Sequence, residues 1–133
     1  MKLLLDTHAW VWASQAPGEL GKKARGALLD ARSSLFVSAV SQLEVARLAS
    51  LGLLQLTVPV REWCRQAVAE FEAKVLVMDD VVAIEAYAPP GRFHADPADR
   101  LLVATARVHG LTLVTADKRI LKYPEVRAMD ARK

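Results

Sequence analysis

Four carboxylates have the residue type and the placement to do chemistry together: Asp6, Glu44, Asp99 and Asp117. Asp6 closes the apolar run Leu3-Leu4-Leu5, and Asp117 follows the run from Leu111 to Val114. Asp99 falls in the first turn of a helix opened by Asp96-Pro97. Glu44 lies six residues past Ser38, in the first two turns of the helix after Leu35-Phe36-Val37. Carboxylates brought close together repel and raise one another's pKa, a penalty that a divalent cation removes. Hard oxygen ligands suit Mg²⁺ or Mn²⁺ better than zinc. The histidines do not argue for zinc, since His8, His94 and His109 form no ligand-spaced pair. The expectation is one divalent-metal site at the edge of a parallel sheet.

Each acid also has a purely local reading. Asp6 and Asp117 could cap the helices that follow them. Ser41-x-x-Glu44 matches a capping box. Asp99 stands at the third helical position behind the cap Asp96, where a negative charge favours the helix dipole. Capping does not require an Asp at the end of a buried strand, where a charge is costly unless paired or coordinated.

The elements that must position these groups follow from the pattern of apolar runs and breakers. Strands are expected at Leu3 to Leu5, Ser34 to Val37, Lys74 to Met78, Leu111 to Val114 and Val126 to Met129. Helices are expected from Leu20 to Ala31, with Leu28 and Leu29 as core candidates, from Ser38 to Leu51, closed by Gly52, and from Val60 to Ala73. A shorter helix, capped by Asp79 or Asp80, runs to Tyr87, before the loop at Pro89-Pro90-Gly91. Asp96 and Pro97 open a strong helix whose stripe Leu101, Ala104 and Val108 faces the core and which Gly110 ends. Gln55 to Val58 is extended, and Asp117 opens a short helical turn through Leu121. Strands alternating with helices predict an α/β fold, a parallel sheet covered on both faces, with ligands at the carboxyl ends of its strands.

A chain of 133 residues fits one domain, here residues 1–133. Hydrophobic residues at 53% and charged residues at 25% supply a core and exclude intrinsic disorder. A net charge of +3 tolerates a polyanionic partner without demanding one. The lone Cys64 excludes an internal disulfide and a cysteine metal site, and reads as a small core or surface residue. No run approaches the roughly 20 apolar residues of a membrane helix, and the N-terminal run is too short for a signal peptide, so a soluble cytoplasmic protein is expected.

Four stretches, in order along nearly the whole chain, resemble the PIN-domain ribonucleases, specifically the VapC toxins of bacterial toxin–antitoxin pairs. They are Leu3-Leu4-Leu5-Asp6-Thr7-His8, Phe36-Val37-Ser38-Ala39 through Glu44-Val45-Ala46, His94 through Ala106 with Asp96-Pro97-Ala98-Asp99-Arg100, and Leu111 through Asp117. The resemblance implies that Asp6, Glu44, Asp99 and Asp117 form an acidic active site in a PIN-like sheet. It also implies an RNA substrate, a cognate VapB-like antitoxin and a homodimer. The chain departs from many relatives at Ser41-Gln42-Leu43, where an aromatic is common, and at Phe93 before His94. Both departures bear on substrate preference rather than on chemistry.

On that reading the reaction is Mg²⁺-dependent phosphodiester hydrolysis. Asp6 and Asp99 are the principal metal ligands, and Glu44 and Asp117 hold a second metal or orient water. Thr7 and Thr115 hydrogen-bond a water or a phosphate, or simply pack the strand ends. Asp96 caps its helix with at most a supporting role, and His94 is placed to orient the loop before it. Arg47, Arg92, Arg100, Lys118 and Arg119 are candidates for RNA backbone contacts, and equally for a solvated surface. Arg100 has further options: pairing with Asp96 or Glu44, or receiving an antitoxin carboxylate. Trp10, Trp12 and Trp63 read as core or interface rather than base-stacking platforms. The competing class is a catalytically silent PIN-like module that binds RNA or protein. A dehalogenase-type phosphatase is disfavoured because His8 stands where its second Asp belongs. A receiver domain has no place for the Glu44 and Asp99 segments.

Overall fold

The computed structural model describes residues 1–91, 93 and 95–133. Arg92 and His94, both singled out above, lie outside the described residues. Leu3, Leu4 and Leu5 expose no surface at all. A run buried on both faces is the signature of a central parallel strand. The strand β1 (Lys2–Leu5) is the middle of a five-stranded sheet with β2 (Ser34–Ser38), β3 (Lys74–Leu76), β4 (Thr112–Thr115) and β5 (Ala128–Asp130), in the order β3-β2-β1-β4-β5. Every pairing is parallel, with Leu5 opposite Val37 on one side and Val114 on the other. This is the expected α/β fold.

Side chains alternate across a strand, and here the alternation builds two cores. Leu3 and Leu5 join Val37 and Val114 against α1 (Thr7–Gln15), α2 (Lys22–Leu29), α3 (Ala39–Ser50) and α4 (Val60–Glu70). Trp10 and Trp63 meet edge to face there at 5.0 Å, which supports their core assignment, and Cys64 is buried beside them. Leu4 and Leu113 pack on the other face against α6 (Pro97–His109) and α7 (Lys118–Lys122) through Leu102, Val103, Ala106 and Ile120. Each fully buried leucine of β1 contributes roughly 1.5–3 kcal/mol.

Three expectations change. Leu28 is buried but Leu29 is 67% exposed. On α6, Val108 is 38% exposed, and the buried set is Leu102 through Ala106, because α6 packs against the sheet on one side and α5 (Asp80–Glu85) on the other. The strand β3 stops at Leu76, leaving Val77 and Met78 exposed. No helix among the described residues is long and apolar enough to cross a membrane.

The chain end is tied down. The Gly21 and Lys23 N–H groups donate to the Ala131 and Lys133 carbonyls at 2.9 and 2.8 Å. A Cβ at Gly21 would lie 2.2 Å from the Lys133 carbonyl carbon, so only glycine permits this approach. The parallel arrangement puts the carboxyl ends of β1, β2 and β4 on one edge. Strand order reverses between β1 and β4, the position where α/β sheets open a binding crevice.

Candidate active site

The four acids arrive at that edge from different elements. Asp6 leaves β1 only 8% exposed, and its Oδ1 accepts the Ala9 N–H at 2.8 Å, capping α1. Asp117 leaves β4 and caps α7, accepting the Arg119 N–H at 2.8 Å. Asp99 sits in the first turn of α6, and its own N–H donates to the cap Asp96 at 2.9 Å. The capping readings of Asp6, Asp96 and Asp117 are therefore correct, yet they do not compete with convergence. Asp6, Glu44, Asp96, Asp99 and Asp117 all line one cleft of about 440 Å³, together with Thr7, His8, Trp12, Arg47, Arg119 and Arg132.

Glu44 needs a different account, because its local alternative fails. The cap of α3 is Ser38, whose hydroxyl accepts the Val40 N–H at 3.1 Å, while Ser41 lies buried inside the helix. No capping box forms. Instead the Thr7 hydroxyl donates to Glu44 Oε1 at 2.9 Å and lies 3.1 Å from the Ser41 hydroxyl. A contact between residues 7 and 44 ties the starts of α1 and α3 together across the cleft. Thr115 is fully buried and bridges as well. Its Oγ1 accepts the Asp117 N–H at 3.0 Å, and its side chain hydrogen-bonds Asp6.

The electrostatics record the crowding. Burial raises the Asp6 carboxyl; Thr115, the Ala9 N–H and His8 oppose that rise, and Asp117 adds to it. Asp99 is pushed up to about 6, first by burial and then by Asp96, Asp117 and Glu44, while Arg119 opposes the rise. Asp117 is held low, chiefly by its hydrogen bonds with Arg119. Arg119 Nη2 lies 2.9 Å from Asp117 Oδ2 and 3.5 Å from Asp99 Oδ2, so one guanidinium bridges two of the acids.

A divalent cation fits this donor set. The candidate ligands are carboxylate oxygens, which select hard ions of the Mg²⁺ or Mn²⁺ kind. The raised Asp99 carboxyl is a charge penalty that such an ion would relieve. Among the described residues no three such side chains are already gathered closely enough to grip an ion.

Of the basic candidates, Arg47 and Arg119 reach the cleft, whereas Arg100 and Lys118 do not line it. Arg100 pairs with neither Asp96 nor Glu44: its guanidinium donates to the Ala86 and Phe93 carbonyls and stacks on Tyr87 at 4.5 Å. It fastens Ala86 and Phe93 to α6. The sequence reading missed Arg132, which the end of β5 carries back to the cleft, 5.5 Å over the Trp12 ring. Trp12, read as core or interface, does pack against the core, and its half-buried ring also lines the cleft wall with His8 at 6.0 Å. The spacing His8-x-x-x-Trp12, one helical turn directly behind Asp6, was the available signal.

Comparison with known proteins agrees with this architecture. The PIN domain profile matches residues 3–126. The chain is 41% identical over 121 residues to Ribonuclease VapC22 of Mycobacterium tuberculosis, covering 91% of each chain. Its fold superposes on the VapBC2 complex of Rickettsia felis bound to promoter DNA (TM-score 0.67, 13% identity, 97% of this chain and 98% of that one). It likewise superposes on VapBC-1 of nontypeable Haemophilus influenzae (TM-score 0.65, 16% identity, 100% of both). With its parallel sheet, its strand-end acids and a profile match over most of its length, the chain belongs to the PIN domain family.

Proposed function

We propose that this PIN domain, residues 1–133, is a VapC-like endoribonuclease toxin that hydrolyses RNA phosphodiester bonds with Mg²⁺ or Mn²⁺. The observation that carries the reading is the convergence of Asp6, Glu44, Asp99 and Asp117 on one cleft from four separate elements. The identity to a chain named a ribonuclease supports it. Bound divalent cations supply Lewis acidity toward the phosphate and a more acidic attacking water.

The chain supplies positioning. Asp6 and Asp99, whose carboxyls burial pushes up, are the principal ligands. Glu44, aimed by Thr7, and Asp117, carried by the Thr115 turn, complete the oxygen set. Arg47 and Arg132 on the cleft wall face the sugar–phosphate backbone. Trp12 on the cleft wall gives an indole ring on which an unpaired base stacks.

Solved neighbours of this fold are toxin–antitoxin complexes, which supports a cognate VapB-like antitoxin as protein partner. We propose a homodimer as well. It is supported by exposed Val77, Met78, Val81 and Ile84 (52–74% exposed), just past β3 and along α5. A toxin acting on RNA works in the cytoplasm. The test is cleavage of RNA by the purified protein in Mg²⁺, its loss in EDTA, and its loss in Asp99→Asn. Absence of cleavage by the wild type would leave a silent binding module, and retained cleavage in Asp99→Asn would refute the site.

A further inference from the structure

We infer that Arg119 is a displaceable internal counter-cation of the acid cluster, whose guanidinium must leave before Asp117 can ligate a divalent metal. This rests on the metal-dependent reading above. Both oxygens of Asp117 are engaged by one residue: Oδ1 accepts the Arg119 backbone N–H at 2.8 Å and its Nε at 3.3 Å, and Oδ2 accepts Nη2 at 2.9 Å. The same Nη2 reaches Asp99 Oδ2 at 3.5 Å. Metal and guanidinium therefore contend for the same lone pairs on two acids. The forked geometry suits a carboxylate well, so the occupancy is specific.

The contact is also easy to give up. The Arg119 side chain is 59% exposed and those of its two partners are 21% and 25% exposed. Ion pairs this open to water are weak, and a double charge outcompetes a single one for the same oxygens. The backbone N–H of Arg119 continues to cap onto Asp117 after the side chain swings away, so α7 keeps its start. Arg119 thus holds the acids together in the metal-free chain, and yields to the ion.

Isothermal titration with Mn²⁺, without RNA, tests this directly. Arg119→Gln is expected to tighten Mn²⁺ binding about three- to ten-fold, the scale of two exposed ion pairs removed. Arg119→Lys should fall between, because an ammonium cannot fork onto both oxygens. Arg47→Gln removes an equal charge from the same cleft and should change affinity less than about two-fold. Unchanged or weaker binding in Arg119→Gln would overturn the inference, as would equal tightening in Arg47→Gln. No Mn²⁺ binding by any of the proteins, wild type included, would instead overturn the metal-dependent reading itself.

Discussion

Asp99→Asn should make the metal-free protein more stable at neutral pH while abolishing metal-dependent cleavage. Ionising a carboxyl held at about 6 rather than 3.8 costs roughly 3 kcal/mol in the folded state. The side chain is 21% exposed, and solvent screening leaves about half of that figure. Asparagine forfeits the favourable helix-dipole term, about 0.3–1 kcal/mol, and the long contact with Arg119. A net gain of about 1 kcal/mol remains, or a rise of about 3–5 °C in Tm for a chain of this size. The sign follows from linkage: the folded pKa lies above the unfolded one, so the wild type is unburdened below pH 3.8 and loses stability as pH rises through about 6. The advantage of the variant should therefore vanish near pH 4 and grow to its full value by pH 7.5. Thermal unfolding in EDTA across that range reads it. In Mg²⁺ the order should reverse, since only the wild type gains from ligand binding to the native state. A variant less stable than wild type at pH 7.5 without metal, or a difference independent of pH, would refute the crowded-acid account.

Other consequences follow from particular contacts. Thr7→Val removes the hydroxyl that aims Glu44 and should lower cleavage about 10–100-fold in single-turnover assays while leaving the fold intact. Gly21→Ala drives a Cβ into the Lys133 backbone; it should cost about 1–3 kcal/mol in denaturant melts and, by lifting Arg132 off Trp12, alter tryptophan emission. Leu4→Ala opens a hole between β1 and α6 and should cost about 2–5 kcal/mol without touching the acids, so residual folded protein keeps its metal affinity.

Local sequence determined much of this protein. An apolar run ending in Asp6, and another ending just before Asp117, announced central parallel strands with acids at their exits. Asp96-Pro97 announced a helix start, because N-cap chemistry and proline geometry act within one turn. Those signals are local, and so they are legible. The tertiary structure decided the rest. Ser41-x-x-Glu44 reads as a cap in isolation, but α3 begins earlier, at Ser38, and Glu44 instead receives the Thr7 hydroxyl from another element. Val108 fits the spacing of a buried stripe, but two packing partners set which side of α6 is buried. Arg100 looks like a site residue by position, but the Ala86 and Phe93 carbonyls capture it. Arg132, near the end of the chain, gave no signal at all, because only the path of β5 and the tail held at Gly21 bring it to the cleft. Caps and strand exits are set by neighbours in sequence; which charges finally face one another is set by contacts between residues far apart in the chain.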